Sequence, residues 1–394
     1  MSTRQYVPVS ATWDQVAAFR LSRNHLLERA PKRTLISVAG NMAGAQAQLL
    51  SAARISLWSR VRDLQIADVD NALNQRTLVK ASCMRRTLFL VRSKHLAIFV
   101  RGSAQRAEKE INWARRKGVP DRVLNAAIDA TLDVLDQPCT RPEIAERVSR
   151  ALGVQMQNIH GGGWGSRRKI SAVPVGKLTY PVVDLLHLVA ARGVVCYGPD
   201  RDNEPTFVRA DAWIPRWQDL SAEQAEDKLL HAYLRAYGPA TAADFAHWTG
   251  ITLTSARKIW ARNQADLAPV DVEGWTAEVL RKDLDELGRT NIESPQTRLL
   301  PYFDTFLLGH KEREHLVSMK YRPQVYRPQG WIAPTILVHG RVIAVWKYSQ
   351  EGNRLQVNAT KFESIPRHVT YNIREEAQDL GRFLGIPNVD VQIN

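Results

Sequence analysis

The chain has 394 residues, 44% hydrophobic and 24% charged, a balance that excludes a disordered chain and a length that exceeds what one core usually serves. Its 54 Lys and Arg against 40 Asp and Glu leave a formal charge of +14, which favours a polyanionic partner through steering and counterion release. No apolar run is long enough to span a bilayer, Met1–Trp13 lacks the order of a secretory signal, and Cys83, Cys139 and Cys196 form no CxxC pair. A membrane protein, a secreted disulfide scaffold and a zinc site are therefore not expected, and the location expected is cytoplasmic, close to nucleic acid.

In chain order, apolar residues at helical spacing predict a helix over Thr12–Glu28, with Asp14 and Gln15 near its start. A second is predicted over Gly44–Val61, with Leu49, Ala53, Leu57 and Trp58 on one stripe. A short helix at Asp68–Leu73 precedes a strand expected over Met84–Val91. From Arg76 to Gly118 there are twelve Lys and Arg but only two acids, Glu108 and Glu110, so this stretch is expected to face the polyanion. A helix over Asp121–Leu135, a capping box at Thr140–Glu143, a helix over Pro181–Ala191 and a hairpin from Gly193–Tyr197 to Thr206–Val208 give three helices and a wing. The pattern returns with caps at Ser221 and Thr241, a helix over Thr254–Arg262 and strands flanking Val272–Gly274. From Leu299 the runs become strand-like, with Ile336–Val338 and Val342–Trp346 joined by His339–Gly340.

The fold expected is mainly α with β wings: three tandem winged-helix units at 1–118, 119–218 and 219–295, then a C-terminal β-rich module at 296–394. Such units suit duplex DNA, because a helix can enter the major groove while wing cations hold phosphates. Most catalytic signatures are missing. Gly161–Lys169 lacks the order of a phosphate-binding loop and reads as a mobile basic loop. His310 and His315 are five residues apart, off the spacing of a zinc helix, and read as part of a solvated charged segment. Neither a GxSxG elbow nor the zinc deaminase pattern occurs.

Two amides two residues apart stand out in Gly44-Ala45-Gln46-Ala47-Gln48. This stretch resembles the Gln-hydrophobic-Gln motif of the AlkZ-like branch of the AlkZ/YcaQ bacterial DNA glycosylases. Further resemblances follow in order: Met84–Val91 to the family's MRGTLHLV segment, Tyr237–Thr241 with Asp244-Phe245 and Trp248–Gly250, Leu300–Asp304 with Leu307–Gly309, and Pro334–Val338 with Gly340–Val342. Together they run along nearly the whole chain. The resemblance implies a monofunctional DNA glycosylase that hydrolyses the N-glycosidic bond of cationic N7- or N3-alkylated purines, bulky adducts or interstrand crosslinks among them, in repair or self-resistance. The partner implied is double-stranded DNA, read by a monomer without cofactor or metal.

Gln46 and Gln48 are the expected catalytic residues, positioning water and stabilising charge on the sugar by their amide dipoles. Asp304 and Phe89 are further candidate site residues. Arg86 and Phe89 depart from the family, which often has glycine and histidine at those two places. Arg85, Arg86, Arg92 and Lys94 are expected on phosphates, and Arg327, with Tyr326 and Trp331, is a candidate groove contact. The alternative is a noncatalytic winged-helix protein that binds or regulates DNA. Read from their residues alone, the two glutamines are better explained as a helix start whose amides cap backbone groups or face solvent.

Overall fold

Helix starts follow their caps. Thr12 opens the helix Trp13–Arg23: its hydroxyl accepts from Gln15 N at 3.2 Å, and the Gln15 side chain accepts from Thr12 N at 2.9 Å. Capping boxes at Thr140 and Thr241 open Arg141–Ala151 and Ala242–Thr249 in the same way. The structure, a computed structural model, describes residues 9–161, 168–293 and 296–394. Of the expected loop Gly161–Lys169, residues 162–167 lie outside the described residues.

Contacts divide the chain into two compact units, one of Met1–Leu73, Thr87–Arg92 and Leu229–Asn394, the other of Asn74–Arg86 and Ser93–Lys228. In the second, the helices Asp121–Val134, Arg141–Ala151 and Val182–Leu188 bury Leu124, Ile128, Ile144, Val148 and Leu185 against Val173. The hairpin Val195–Tyr197 with Thr206–Arg209 forms as expected, and Cys139–Thr140 adds a third strand. A second three-stranded sheet, Gln157–Gly161, Arg168–Val175 and Leu178–Pro181, has no counterpart among the expected elements. Its short strands carry no clean alternation, so periodicity missed them.

In the first unit, Leu267–Val272 and Trp275–Leu280 form the expected hairpin, and Val9–Ala11 joins it in parallel. The C-terminal strands Thr297–Leu300, Thr335–Val338, Arg341–Glu351, Arg354–Lys361 and Asn388–Ile393 make one five-stranded sheet. The terminal module is not β alone: Arg367–Leu384 is an 18-residue amphipathic helix that buries Val369, Ile373, Ala377 and Leu380.

Two further expectations change. The predicted helix over Gly44–Val61 starts only at Leu50 and runs to Trp58, because Ala43 and Gly44 are left-handed (φ 56° and 91°) and Ala45–Gln46 then pairs as a strand. The strand expected over Met84–Val91 begins at Leu88; Met84–Arg86 is a tight turn with Arg85 and Arg86 left-handed at φ 54° and 57°. Among the described residues, no helix is long and apolar enough to cross a membrane.

Candidate functional site

The glutamine motif is a short strand rather than a helix start. Ala45 and Gln46 pair antiparallel with Leu90 and Phe89 of the strand Leu88–Arg92, and Ala47 N donates to Leu88 O at 2.6 Å. The strand ends at Gln46, and Gln48 follows in a bend before the helix Leu50–Trp58, so neither amide lies on a helix. Burial ends after Ala47: Ala45 and Ala47 are fully buried, Gln46 is 7% exposed, and Gln48 and Leu49 are exposed to solvent. The amides thus form a graded pair, one walled by strand and one open.

Gly44 sets the pairing distance. A Cβ there would lie 2.8 Å from Val91 Cγ1, 3.2 Å from Leu90 O and 3.3 Å from Phe89 Cδ1, so only glycine lets the segment close on its partner strand. Phe89 is fully buried beneath this turn as the cross-strand partner of Gln46. It stands under the motif rather than beside it on the surface.

Asp304 is buried as well. Its carboxylate accepts from Arg60 Nη2 at 2.7 Å and Nη1 at 2.8 Å, from Ser56 Oγ at 2.7 Å and from Phe306 N at 3.0 Å. Ser56 belongs to Leu50–Trp58, the helix that follows the glutamines, so Asp304 and Arg60 clamp the far end of the helix the motif leads into. The same helix is held at Trp58, whose Nε1 donates to Asp379 at 2.9 Å, while Arg29 packs over the Trp58 ring and pairs with Glu376 and Asp379 at 2.8 and 2.6 Å. Burial raises the Glu376 carboxyl against the opposing pull of Arg29 and Arg298.

The expected phosphate contacts fall in both units. Arg85, Arg86 and Lys94 belong to the second; Arg92 and Arg327 belong to the first. Lys94 and Arg327 are exposed, Arg85 and Arg92 half-buried. Arg86 is ion-paired with Glu110, and burial lowers its pKa.

The segment around His310 and His315 departs from its expected solvated character. Lys311, Glu312 and Glu314 are exposed, but His310 and Arg313 are buried and His315 is half-buried. His310 Nε2 donates to Tyr237 O at 2.9 Å, and Arg20 reaches His315 Nε2 at 3.0 Å and Pro239 O at 2.6 Å. Burial, then Arg20, holds both histidines well below the ordinary imidazole range. Trp13 stacks on His315 and on Trp275, with ring centroids 4.9 and 5.2 Å away, beside a cavity of about 400 Å³. Charged residues mask such burial in a sequence. The aromatic spacing gave no signal, because Trp13, Trp275 and His315 meet only in the folded unit. The three cysteines are buried and free, as packing residues should be, and burial pushes the Cys196 thiol up to about 12.

A profile of the DNA glycosylase AlkZ-like family matches residues 39–383, from just before the glutamine motif to the end of the terminal helix. The chain belongs to the AlkZ-like DNA glycosylase family. It is 31% identical over 396 residues to an interstrand DNA cross-link repair glycosylase of Streptomyces sahachiroi, covering 98% of this chain and 100% of that one. The solved structure of Streptomyces sahachiroi DNA glycosylase AlkZ superposes with a TM-score of 0.81 at 27% identity, over 98% of this chain and 100% of that chain. An AlkZ-like DNA glycosylase acts on the N-glycosidic bonds of DNA. The resemblance read from the five sequence segments is therefore correct at the level of family, enzyme class and mixed helical fold with several small sheets.

Proposed function

We propose that this glycosylase excises cationic N7- or N3-alkylated purines from double-stranded DNA, bulky adducts and interstrand crosslinks included, with Gln46 and Gln48 as its catalytic residues. The observation that carries the reading is the pair of amides two residues apart in an AlkZ-like chain, Gln46 buried in a paired strand and Gln48 open to solvent. A relative named for interstrand cross-link repair supports the substrate class.

An alkylated purine already carries positive charge. Its C1′–N bond breaks with the electron pair passing to the base, which leaves neutral; water oxygen bonds to C1′, and the water proton goes to solvent. Strong general acid help is unnecessary. The amide carbonyls orient the water and face the charge developing on the sugar with fixed dipoles. Amides cannot deprotonate water as a carboxylate does, so uncharged lesions such as uracil are poor substrates. The motif holds no lysine, so no Schiff-base lyase step follows.

The three helix-and-hairpin groups act as winged helices in a monomer, with Arg85, Arg92, Lys94 and Arg327 on phosphates. The test is release of free base from duplex DNA containing N7-methylguanine and from a crosslinked duplex. Wild type is expected to release base, and Gln46→Ala/Gln48→Ala to keep DNA affinity while losing roughly a hundredfold or more in rate. Binding without release from either substrate would instead favour a noncatalytic DNA-binding protein.

A further inference from the structure

The turn that delivers the glutamines is strained. Ala43 is left-handed at φ 56° although it has a Cβ, and it is followed at once by Gly44 at φ 91°; both are fully enclosed. A non-glycine residue in this region is strained and persists only where its surroundings over-determine it. Within the turn, Met42 N donates to Val38 O at 3.0 Å, Ala43 N to Gly40 O at 3.2 Å and Gly44 N to Ala39 O at 2.9 Å. These bonds hold its N–H groups to the preceding helix, Leu35–Asn41.

The Met42 carbonyl is held from elsewhere. Tyr237 Oη donates to Met42 O at 2.9 Å, across 195 residues of chain, four positions before Gln46. Tyr237 is 1% exposed and is itself fixed on every side. Its backbone carbonyl accepts from His310, the preceding Ala236 carbonyl accepts from Asn24 Nδ2 at 2.7 Å, and Gly309 lies so close to its ring that a Cβ there would sit 2.6 Å from Cδ1. The Tyr233 and Trp248 rings pack at 5.7 and 5.8 Å. A locked phenol reaching the one strained turn that sets the motif is the arrangement expected of a group that positions catalytic residues through a supporting shell.

We infer that Tyr237 is a positioning residue for the glutamine pair, fixing where Gln46 and Gln48 stand by holding the Met42 carbonyl. The inference rests on the glutamines being catalytic. It also gives the Tyr237–Thr241 segment a physical role in catalysis beyond packing.

Tyr233 supplies a matched control. It lies one turn earlier on the same helix and is fully buried; its hydroxyl donates to Gly309 O at 2.8 Å rather than to the motif, and Tyr233→Phe keeps the ring that packs on Tyr237. Each Tyr→Phe change strands one buried carbonyl, so the two variants should lose similar stability. Tyr237→Phe, Tyr233→Phe, Gln46→Ala and wild type are compared by single-turnover release of N7-methylguanine, DNA affinity and Tm. The expected result is a roughly tenfold or greater fall in rate for Tyr237→Phe with affinity within about twofold of wild type, and a Tyr233→Phe rate within about twofold. A wild-type rate for Tyr237→Phe, with Gln46→Ala inactive, overturns the positioning role and leaves the glutamine reading standing. Equal slowing of both phenylalanine variants, or failure of Tyr237→Phe alone to fold, marks the contact as structural and overturns it too. Wild-type activity in Gln46→Ala removes the glutamine reading and this inference together.

Discussion

Arg60 and Asp304 are both fully buried, and their two-pronged ion pair, with Ser56 and Phe306 N completing it, leaves the carboxylate committed to protein partners. A buried pair stabilises little by itself, but removing one partner strands the other charge at a cost of about 3–5 kcal/mol. Asp304→Ala is therefore expected to lose about that much in chemical denaturation, and Arg60→Met/Asp304→Leu, of similar bulk, to recover most of it. If Asp304→Ala instead keeps its stability and loses base release, the carboxylate acts on the substrate. The sequence marked Asp304 only as a candidate site residue within a recognisable segment. The partner that decides its environment lies 244 residues away, beyond any local pattern. Phe89 was open for the same reason: its place under Gly44 exists only once two strands pair.

The helix starts at Thr140 and Thr241 were legible because a capping box is a local hydrogen-bond circuit written within four residues, and that at Thr12 from the apolar spacing after it. The conformation of Gln46 was not. Leu49, Ala53 and Leu57 repeat with helical period, and the helix they announce is real, but it starts after the glutamines because Gly44 closes onto Val91 first. Gly44 and Gly274 make this testable at the level of the strand pair, since their φ values are 91° and 90° while a Cβ at Gly274 meets nothing within 4 Å. Gly274→Ala incurs only the backbone penalty, about 1–2 kcal/mol. Gly44→Ala incurs that and the collision with Val91, which adds about 1–3 kcal/mol or pushes the motif strand off its partner. The expected outcome is a lower Tm for Gly44→Ala than for Gly274→Ala, with base release falling only in the former. Equal effects on both would mean that the close approach at Gly44 does not set the motif's place.

Over the whole molecule, the charge of +14 gave the partner class, yet it is not all surface charge: Arg20, Arg60, Arg298 and Arg313 are buried and bonded internally. The same interior cations create a pH dependence that no count of residues shows. His310 and His315 are held neutral by burial and by the neighbouring Arg20, with Arg313 acting on both and Arg341 on His315. In the unfolded chain each would titrate near 6.5. Below that value the unfolded state takes up protons that the folded state refuses, so stability is fully present above about pH 6.5 and falls as the pH drops. One proton per histidine gives a slope of at most about 1.4 kcal/mol per pH unit for each. Denaturant midpoints followed from pH 7.5 to 5 are expected to stay level and then decline below about 6.5, above the range where carboxylates titrate. His315→Gln, which keeps an acceptor for Arg20, is expected to reduce the slope by about one proton. A wild-type profile flat to pH 5 would show that both imidazoles accept protons without loss of the fold, and that Arg20 and burial do not hold them neutral.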